Sequence, residues 1–566
     1  MYYMIKGFIE DDIVMTLKIS ENQNIPSLTA QVAKSSFPKG NKYLRLRDQL
    51  GCIFTDHDFI DLFPAKGQPA IAPWRLALVT VLQFGESLSD RQAADAVRAR
   101  IDWKYLLGLE VDDSGFDYSV LSEFRQRLLF SDAEDRLLSV LLTKFVELGI
   151  LKSNGNQRTD SSHVLASVRT LNRLELIGET MRAALNYLAK EVPEWLITVA
   201  NDDWYKKYGH RVENSRLPKS DPKKEEYAVS VGKDGFKLMD ALDKDSTVKK
   251  YLNTLQLEAL KTAWDRHFIR DDATGDIRFK SNKEVSLSEK KIESPYDTDA
   301  RFRTKRETNW TGYVVHLTET CDEDAQINVI THVMTTPADV HDINATPIIQ
   351  KELHAANLTP KNHIVDTAYI NLELLVESKQ KYNIDLIGQP KEGPTWRSKI
   401  EGGYTLDKFK LDWDNEQTIC PEGKVSTCWS TTKRNDDYIT AVFSSKDCSS
   451  CPTKHLCIKG ESVTRRTVNF PSKEKYEAKQ ALLSRLETDD GKALYDRRAG
   501  VEGTVSQGVR GTGLRKSRYR GLEKTHLQQV AGAAAMNIFR LAEWLDEGEL
   551  AKTRKSNFQK IEPKAA

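Results

Sequence analysis

At 566 residues the chain is too long for a single hydrophobic core and predicts roughly two to four domains. A charged fraction of 29% and an apolar fraction of 39% exclude a disordered or membrane-embedded chain, and a formal net charge of +1 excludes overall basicity as the means of holding nucleic acid. No basic-then-apolar leader follows Met1 and no apolar run approaches about 18 residues, so a cytoplasmic location is expected.

The first 40 residues lack strong periodicity and read as an arm, 1–40. From Tyr43 the pattern turns helical, giving an expected helical DNA-binding domain over 41–150. Pro73 opens the apolar run WRLALVTVLQFG, and Ser89 with Gln92 three residues on forms a capping-box signature. Trp103 to Leu109 is a short aromatic and aliphatic piece. Ser119 is expected to cap a helix carrying Arg125 and Arg127, and Asp132 to Leu148 gives one more amphipathic helix. Short helices, tight turns and exposed arginines fit a helix-turn-helix unit; a plain bundle with paired surface arginines fits equally.

The character changes at Gln157, where QRTDSSHVLASV alternates as a strand and carries Asp160. A first core segment is expected at 151–171, then a charged helical insertion over 172–295 anchored by Trp195, Trp204 and Trp264, then more core at 296–389. Strands are expected at Gly312–Thr318, Ile327–Thr335 and His363–Thr367, helices at Asp342–Ala356 and Leu372–Tyr382, and a short apolar piece at Ile384–Ile387. That order is α/β. The β-branched Ile364 and Val365 fit a strand covered on both faces, and Asp366 at its end is unwelcome there without a ligand, a partner or water.

A further insertion is expected over 390–473. Five of the seven cysteines fall between Cys420 and Cys457, a pattern that suits metal better than a disulfide framework. Cys448, Cys451 and Cys457 are spaced C-x2-C-x5-C. With Cys420 they form the expected tetrahedral Zn²⁺ set, leaving Cys428 free; His455 competes as a ligand, and free buried thiols are the alternative. Trp396 and Trp429 either stack on a displaced base or serve ordinary packing.

The last core segment, 474–546, contains the stretch Gly491–Arg520, ahead of a charged tail at 547–566. Its first half runs as a helix, with Leu494, Arg498, Val501, Glu502 and Val505 at spacings of three and four. From Arg497 to Lys524 there are eight Arg or Lys residues and two acids, so Glu502 stands nearly alone among cations. It reads either as one half of a solvated ion pair or as a metal-ligand carboxylate beside a bed for phosphates. Asp160, Asp366 and Glu502, from two strands and a helix, would make an oxygen-rich set suited to Mg²⁺ or Mn²⁺ and to in-line phosphodiester chemistry.

On these motifs the chain resembles DDE transposases of bacterial insertion sequences, specifically the IS1182 group within the IS4/IS5-like assemblage. The resemblance covers nearly the whole chain: FPAKGQPAIAPWRLALVTVLQFGESLSDRQAADAV and FDYSVLSEFRQRL in the helical part, RTDSSHV at Asp160, IVDTAYINLELL at Asp366, and YDRRAGVEGTV at Tyr495, Arg498 and Glu502. KTHLQQVAGAAAMNIFRLAEWL at the end also has the family's look. The family signature usually continues to a Lys or Arg seven residues beyond the Glu; Val509 stands there, so Arg510, and after it Lys516, takes that role.

The resemblance implies an RNase H-like catalytic core with an N-terminal all-helical domain, to which the cysteine spacing adds an inserted cysteine-rich subdomain. It implies cleavage at the ends of a DNA element with inverted repeats, then attack of the 3′-hydroxyls on target DNA, by a homodimer handling two ends. Tyr495 and Arg498 would contact end phosphates, and Arg510, Arg515, Lys516 and Arg518 would add salt-dependent affinity. A metal-dependent nuclease, or a domesticated DNA-binding protein with a structural zinc module, would use the same features. The implied setting is a bacterial cytoplasm, at the nucleoid when on DNA.

Overall fold

The computed structural model describes residues 17, 19, 23–64, 70–271, 273–285, 291–305, 307–390, 395–434, 436–460, 462–547 and 557–561. Residues 1–16 of the expected arm, and 548–556 and 562–566 of the expected tail, lie outside the described residues; within the arm, Ser27–Ser36 is a helix.

The N-terminal region is helical because the Pro73–Gly85 helix is apolar all round and must be surrounded. Proline opens it, where a missing N–H costs nothing. Almost every residue from Trp74 to Phe84 is buried, under the Asp56–Leu62 turn and the helices Asp90–Ala99, Ser119–Phe130 and Leu522–Glu547. Close approach of the last of these requires a glycine, since a Cβ at Gly85 would run into the Phe539 ring. Ser89 and Gln92 form the capping box. Ser119 is not a cap: the Asp117 carboxylate accepts from its N–H at 2.9 Å.

The expected exposed arginines are also corrected. Arg125 is only 6% exposed and donates to Asp90 (2.7 Å) and Gln83 (3.3 Å), pinning three helices together. Arg127 donates to the Leu62 carbonyl. An inward-facing arginine on a helix looks, in sequence, like an outward-facing one; here both serve packing.

The sheet is built on the central strand Asn156–Leu165. It pairs antiparallel with Thr308–Thr320, which is longer than expected, and parallel with Asn362–Val365, which pairs parallel with Asp385–Ile387. On its other side Thr308–Thr320 takes Arg301–Lys305 along one half and Ile330–Pro337 along the other. A helical region followed by this mixed sheet is consistent with an α/β RNase H-like arrangement. The helices Ala345–Ala355 and Leu372–Tyr382 form the crossovers between parallel strands. The Leu522–Glu547 helix packs on the Ile330–Pro337 strand, and Asn537 both donates to and accepts from the Ile330 backbone at 2.9 and 2.8 Å. One apolar cluster runs through helices and sheet alike.

Two insertions have separate cores. In the first, Trp204 and Trp264 are buried, while Trp195 is half-buried. In the second, Phe409, Phe443 and Phe470 pack about a three-stranded sheet, Cys428–Arg434, Asp436–Val442 and Thr467–Pro471. Trp429 belongs to that aromatic packing, 4.9 Å from the Phe470 ring and edge-on, so core contact rather than base stacking explains it. Among the described residues no helix is long and apolar enough to cross a membrane.

The sheet also carries a buried charge network. Glu319 is 0% exposed; its Oε1 accepts from Arg158 Nε (2.9 Å) and Nη2 (2.7 Å), and its Oε2 accepts from Arg540 Nη1 (2.9 Å) and Thr504 (2.6 Å). Arg158 donates onward to the Arg497 carbonyl, and Arg540 to Gln507 and the Asn328 carbonyl. Removing one member leaves its partners buried and unpaired. Glu319→Ala is expected to cost about 3–5 kcal/mol, read as a lower urea midpoint.

Three buried histidines add a pH dependence. Burial pushes His363 and His267 down to about 3 and His316 down to about 4, so all three are neutral in the fold. Unfolded, each would protonate near 6.5. The stability they contribute is therefore complete above about pH 6.5 and is lost as pH falls toward those lower values. Urea midpoints are expected to drop below pH 6.5, by at most about 1.4 kcal/mol per pH unit for each ring, with His363→Gln removing about a third of that slope.

Candidate active site

Register brings the strand acids together. Thr159 pairs with Val365 on parallel neighbours, so the next residues stand side by side: Asp160 in the middle of its strand and Asp366 just past the C-terminal end of the shorter one. Each carboxylate accepts from the following backbone N–H at 2.7 Å, Asp160 from Ser161 and Asp366 from Thr367. Among the described residues neither makes another hydrogen bond, so one oxygen of each is left for a ligand. Burial raises the Asp160 carboxyl, and neighbouring Asp366 raises it further; the Ser161 N–H, Arg498 and Lys305 act the other way.

Glu502 comes from the other side. The segment expected as one helix is three pieces: Asp489–Asp496, a tight turn Arg497–Gly500, and Val501–Gly511. The turn is where Arg158 donates to the Arg497 carbonyl, and a Cβ at Gly500 would collide with the Arg158 guanidinium. The adjacent arginines divide their work: Arg497 reaches Glu323 and the Cys321 carbonyl, whereas Arg498 faces the cavity 5.9 Å from the Tyr495 ring centroid.

Asp160, Asp366 and Glu502 line one open cavity of about 740 Å³. Arg498, Arg510 and Arg515 line it too; Arg510 donates to Ser506 (2.7 Å) and Arg515 to Ser162 (3.0 Å). Tyr495 is half-buried behind Arg498, and burial raises its phenol. Two expected cations lie elsewhere. Lys516 sits beside Leu165 in a β-bridge, away from the cavity lining, and Arg518 donates to the Leu88 carbonyl at 2.7 Å and covers the Phe84 ring. Three charged lining residues escaped sequence reasoning: Arg303, Lys305 and Asp342. Arg303 and Lys305 lie on a short strand, RFRTK, whose one apolar residue is too weak a signal, and Asp342 read as an ordinary helix start.

The four cysteines of the expected zinc set, Cys420, Cys448, Cys451 and Cys457, line a second cavity of about 290 Å³ within the insertion, and Cys428 is exposed on a strand. Burial raises the Cys457 thiol, with Cys448 and Cys420 adding to it. Among the described residues no group of three or more His, Cys, Asp or Glu is gathered tightly enough to hold a metal ion, here or at the acids. The insertion's core is aromatic and aliphatic rather than cysteine-built.

The donor set at the acids nonetheless suits a hard divalent cation: carboxylate oxygens without protein partners, one of them, Asp342 Oδ1, fully buried with no hydrogen bond. Without a cation the buried Asp160 charge is a burden. Asp160→Asn is expected to raise the melting temperature of the metal-free protein by about 2 °C, and to reduce any further rise on adding Mn²⁺; differential scanning calorimetry with and without Mn²⁺ checks both.

Comparison with known proteins follows the same two regions. Residues 31–127 match a family model described as a transposase domain (DUF772), and residues 419–542 match one described as a transposase DDE domain. The second match takes in the cysteine cavity, Tyr495, Arg498 and Glu502, and stops short of Asp160 and Asp366. No curated protein and no solved structure matches the chain. The chain thus carries two transposase-family segments, one in its helical region and one around Glu502.

Proposed function

We propose that the protein is a DDE-type DNA transposase of the IS1182 group. It binds the inverted-repeat ends of an insertion sequence, cleaves phosphodiester bonds and joins the freed 3′-hydroxyls to target DNA. The observation that carries this reading is the shared cavity: acids from two neighbouring strands and a helix, rimmed by arginines, in a chain with two transposase-domain matches.

Asp160, Asp366 and Glu502 would hold Mg²⁺ or Mn²⁺, which when bound supplies Lewis-acid activation of the attacking oxygen and stabilises the leaving one. The protein's own part is placement. Arg498, Arg510 and Arg515 seat the scissile strand by its phosphates, with Tyr495 supporting Arg498; Lys516 and Arg518 act outside the cavity, on DNA leaving it. The partner is double-stranded DNA at the element's terminal repeats and at the target, and a homodimer handles both ends. Cys420, Cys448, Cys451 and Cys457 would have to close further to take a structural Zn²⁺ in the insertion, a role supported by their shared cavity and C-x2-C-x5-C spacing.

The test uses a supercoiled donor plasmid with the natural ends. Asp366→Asn and Glu502→Gln are expected to lower Mg²⁺-dependent cleavage by at least about 100-fold while end-DNA affinity stays within about twofold, because phosphate contacts carry most of the binding. Arg498→Ala should weaken binding and cleavage together. Normal cleavage by the Glu502 variant sinks the reading; cleavage without joining returns the nuclease. For the insertion, about one zinc per chain is expected by elemental analysis, and zero zinc with freely titrating thiols removes that site.

A further inference from the structure

The Asp342 carboxylate is the anomaly of the cavity. Its side chain is 3% exposed, its Oδ1 has no hydrogen bond, and the nearest cations are Arg303 Nη1 at 3.6 Å and Lys305 Nζ at 3.8 Å, beyond hydrogen-bond reach. Neither cation is committed to it. Arg303 Nη1 donates to the Ala338 and Val340 carbonyls at 3.1 Å each, and the Lys305 side chain is 54% exposed. A buried carboxylate held only by loose charge contacts retains most of its desolvation penalty.

Its position says what it faces. Asp342 opens the turn Asp342–Asn344, from which the Ala345–Ala355 helix starts, and Thr346 in that helix donates to the Tyr369 carbonyl at 2.6 Å. Tyr369 closes the turn that Asp366 begins, so the two acids stand on turns tied to each other. The buried Tyr369 hydroxyl, 2.6 Å from His316 Nδ1, is raised by burial and by the charges of Asp342, Asp160 and Asp366 together. The charges of three carboxylates thus act on one phenol, and His316, pushed down to about 4, is neutral and offsets none of them.

We propose that Asp342 is a fourth carboxylate of the cation site, accepting hydrogen bonds from the water ligands of a divalent metal ion. This rests on the reading of the cavity as a divalent-cation site. Mg²⁺ and Mn²⁺ keep several waters when carboxylates bind them. Acids lining a cavity without forming a tight cage are the arrangement that a hydrated ion needs, and the Asp342 carboxylate that lines it is short of hydrogen-bond donors.

The experiment is a Mn²⁺ titration of the full chain followed by electron paramagnetic resonance, without DNA. Asp342→Asn is expected to weaken Mn²⁺ binding by about 10-fold or more, and Asp160→Asn to weaken it at least as much. Unchanged Mn²⁺ affinity in the folded Asp342 variant, beside loss in the Asp160 variant, overturns the proposal and leaves Asp342 a structural ion-pair member. Wild-type protein that binds no Mn²⁺ in the cavity overturns the cation reading itself, and the proposal with it. If Asp342→Asn does not fold, crystals of the wild type soaked in Mn²⁺ decide: an anomalous peak about 4 Å from an Asp342 oxygen, one water away, is expected, and a peak out of water-bridging reach overturns it.

Discussion

Glu319, fully buried between Arg158 and Arg540, is the interaction on which the cavity depends. A buried carboxylate flanked by two guanidiniums is costly unless each polar atom is satisfied, and here the four oxygen contacts leave it so. The satisfied geometry admits one arrangement of the parts that supply it. Arg158 comes from the central strand, Glu319 from its antiparallel neighbour, Thr504 and Gln507 from the helix of Glu502, and Arg540 from the C-terminal helix. The partners of Glu319 lie 161, 185 and 221 residues from it in sequence, and the network fixes their relative placement where apolar packing alone would allow sliding.

From that placement the cavity follows. Arg158 sits two residues before Asp160 on the same strand, so the guanidinium that grips the Arg497 turn lies next to the acid the turn must face. The turn then sends Arg497 back to the protein and Arg498 to the cavity. Thr504, gripped by Glu319, sits two residues after Glu502 on the opposite arm. Structural charge and site charge are thus interleaved: Arg158, Glu319, Thr504 and Arg540 are consumed in holding, and Asp160, Asp366, Glu502 and Arg498 are held with free donor or acceptor capacity.

The same division explains the helical region and the insertions. Arg125, spent on Gln83 and Asp90, stiffens a bundle whose core continues into the sheet through the Pro73–Gly85 and Leu522–Glu547 helices. Arg518 and Ser87 bond across to Leu88 and Gly511, so the segment carrying the cavity's cations is also moored to the bundle. The two insertions bury their own aromatic cores, and the strand order of the sheet survives them.

The sequence by itself determined the elements whose signals are local. The all-apolar run after Pro73, the Ser89 capping box, the β-branched Asn362–Val365 strand and the Leu372–Tyr382 helix were legible because periodicity and capping chemistry act within a few residues. The two strand acids, and the spacing of Tyr495, Arg498 and Glu502, were legible for the same reason. What only the tertiary structure decided is which charges face inward. Arg125 and Arg158 look no different in sequence from Arg498 and Arg515, and Asp342 looks like any helix start, because the burial of a charge depends on neighbours far away in the chain. The tightening to a 3-10 turn at Arg497–Gly500, inside a run that stays helical from Asp489 to Gly511 as its periodicity predicts, falls where a guanidinium from residue 158 takes the Arg497 carbonyl.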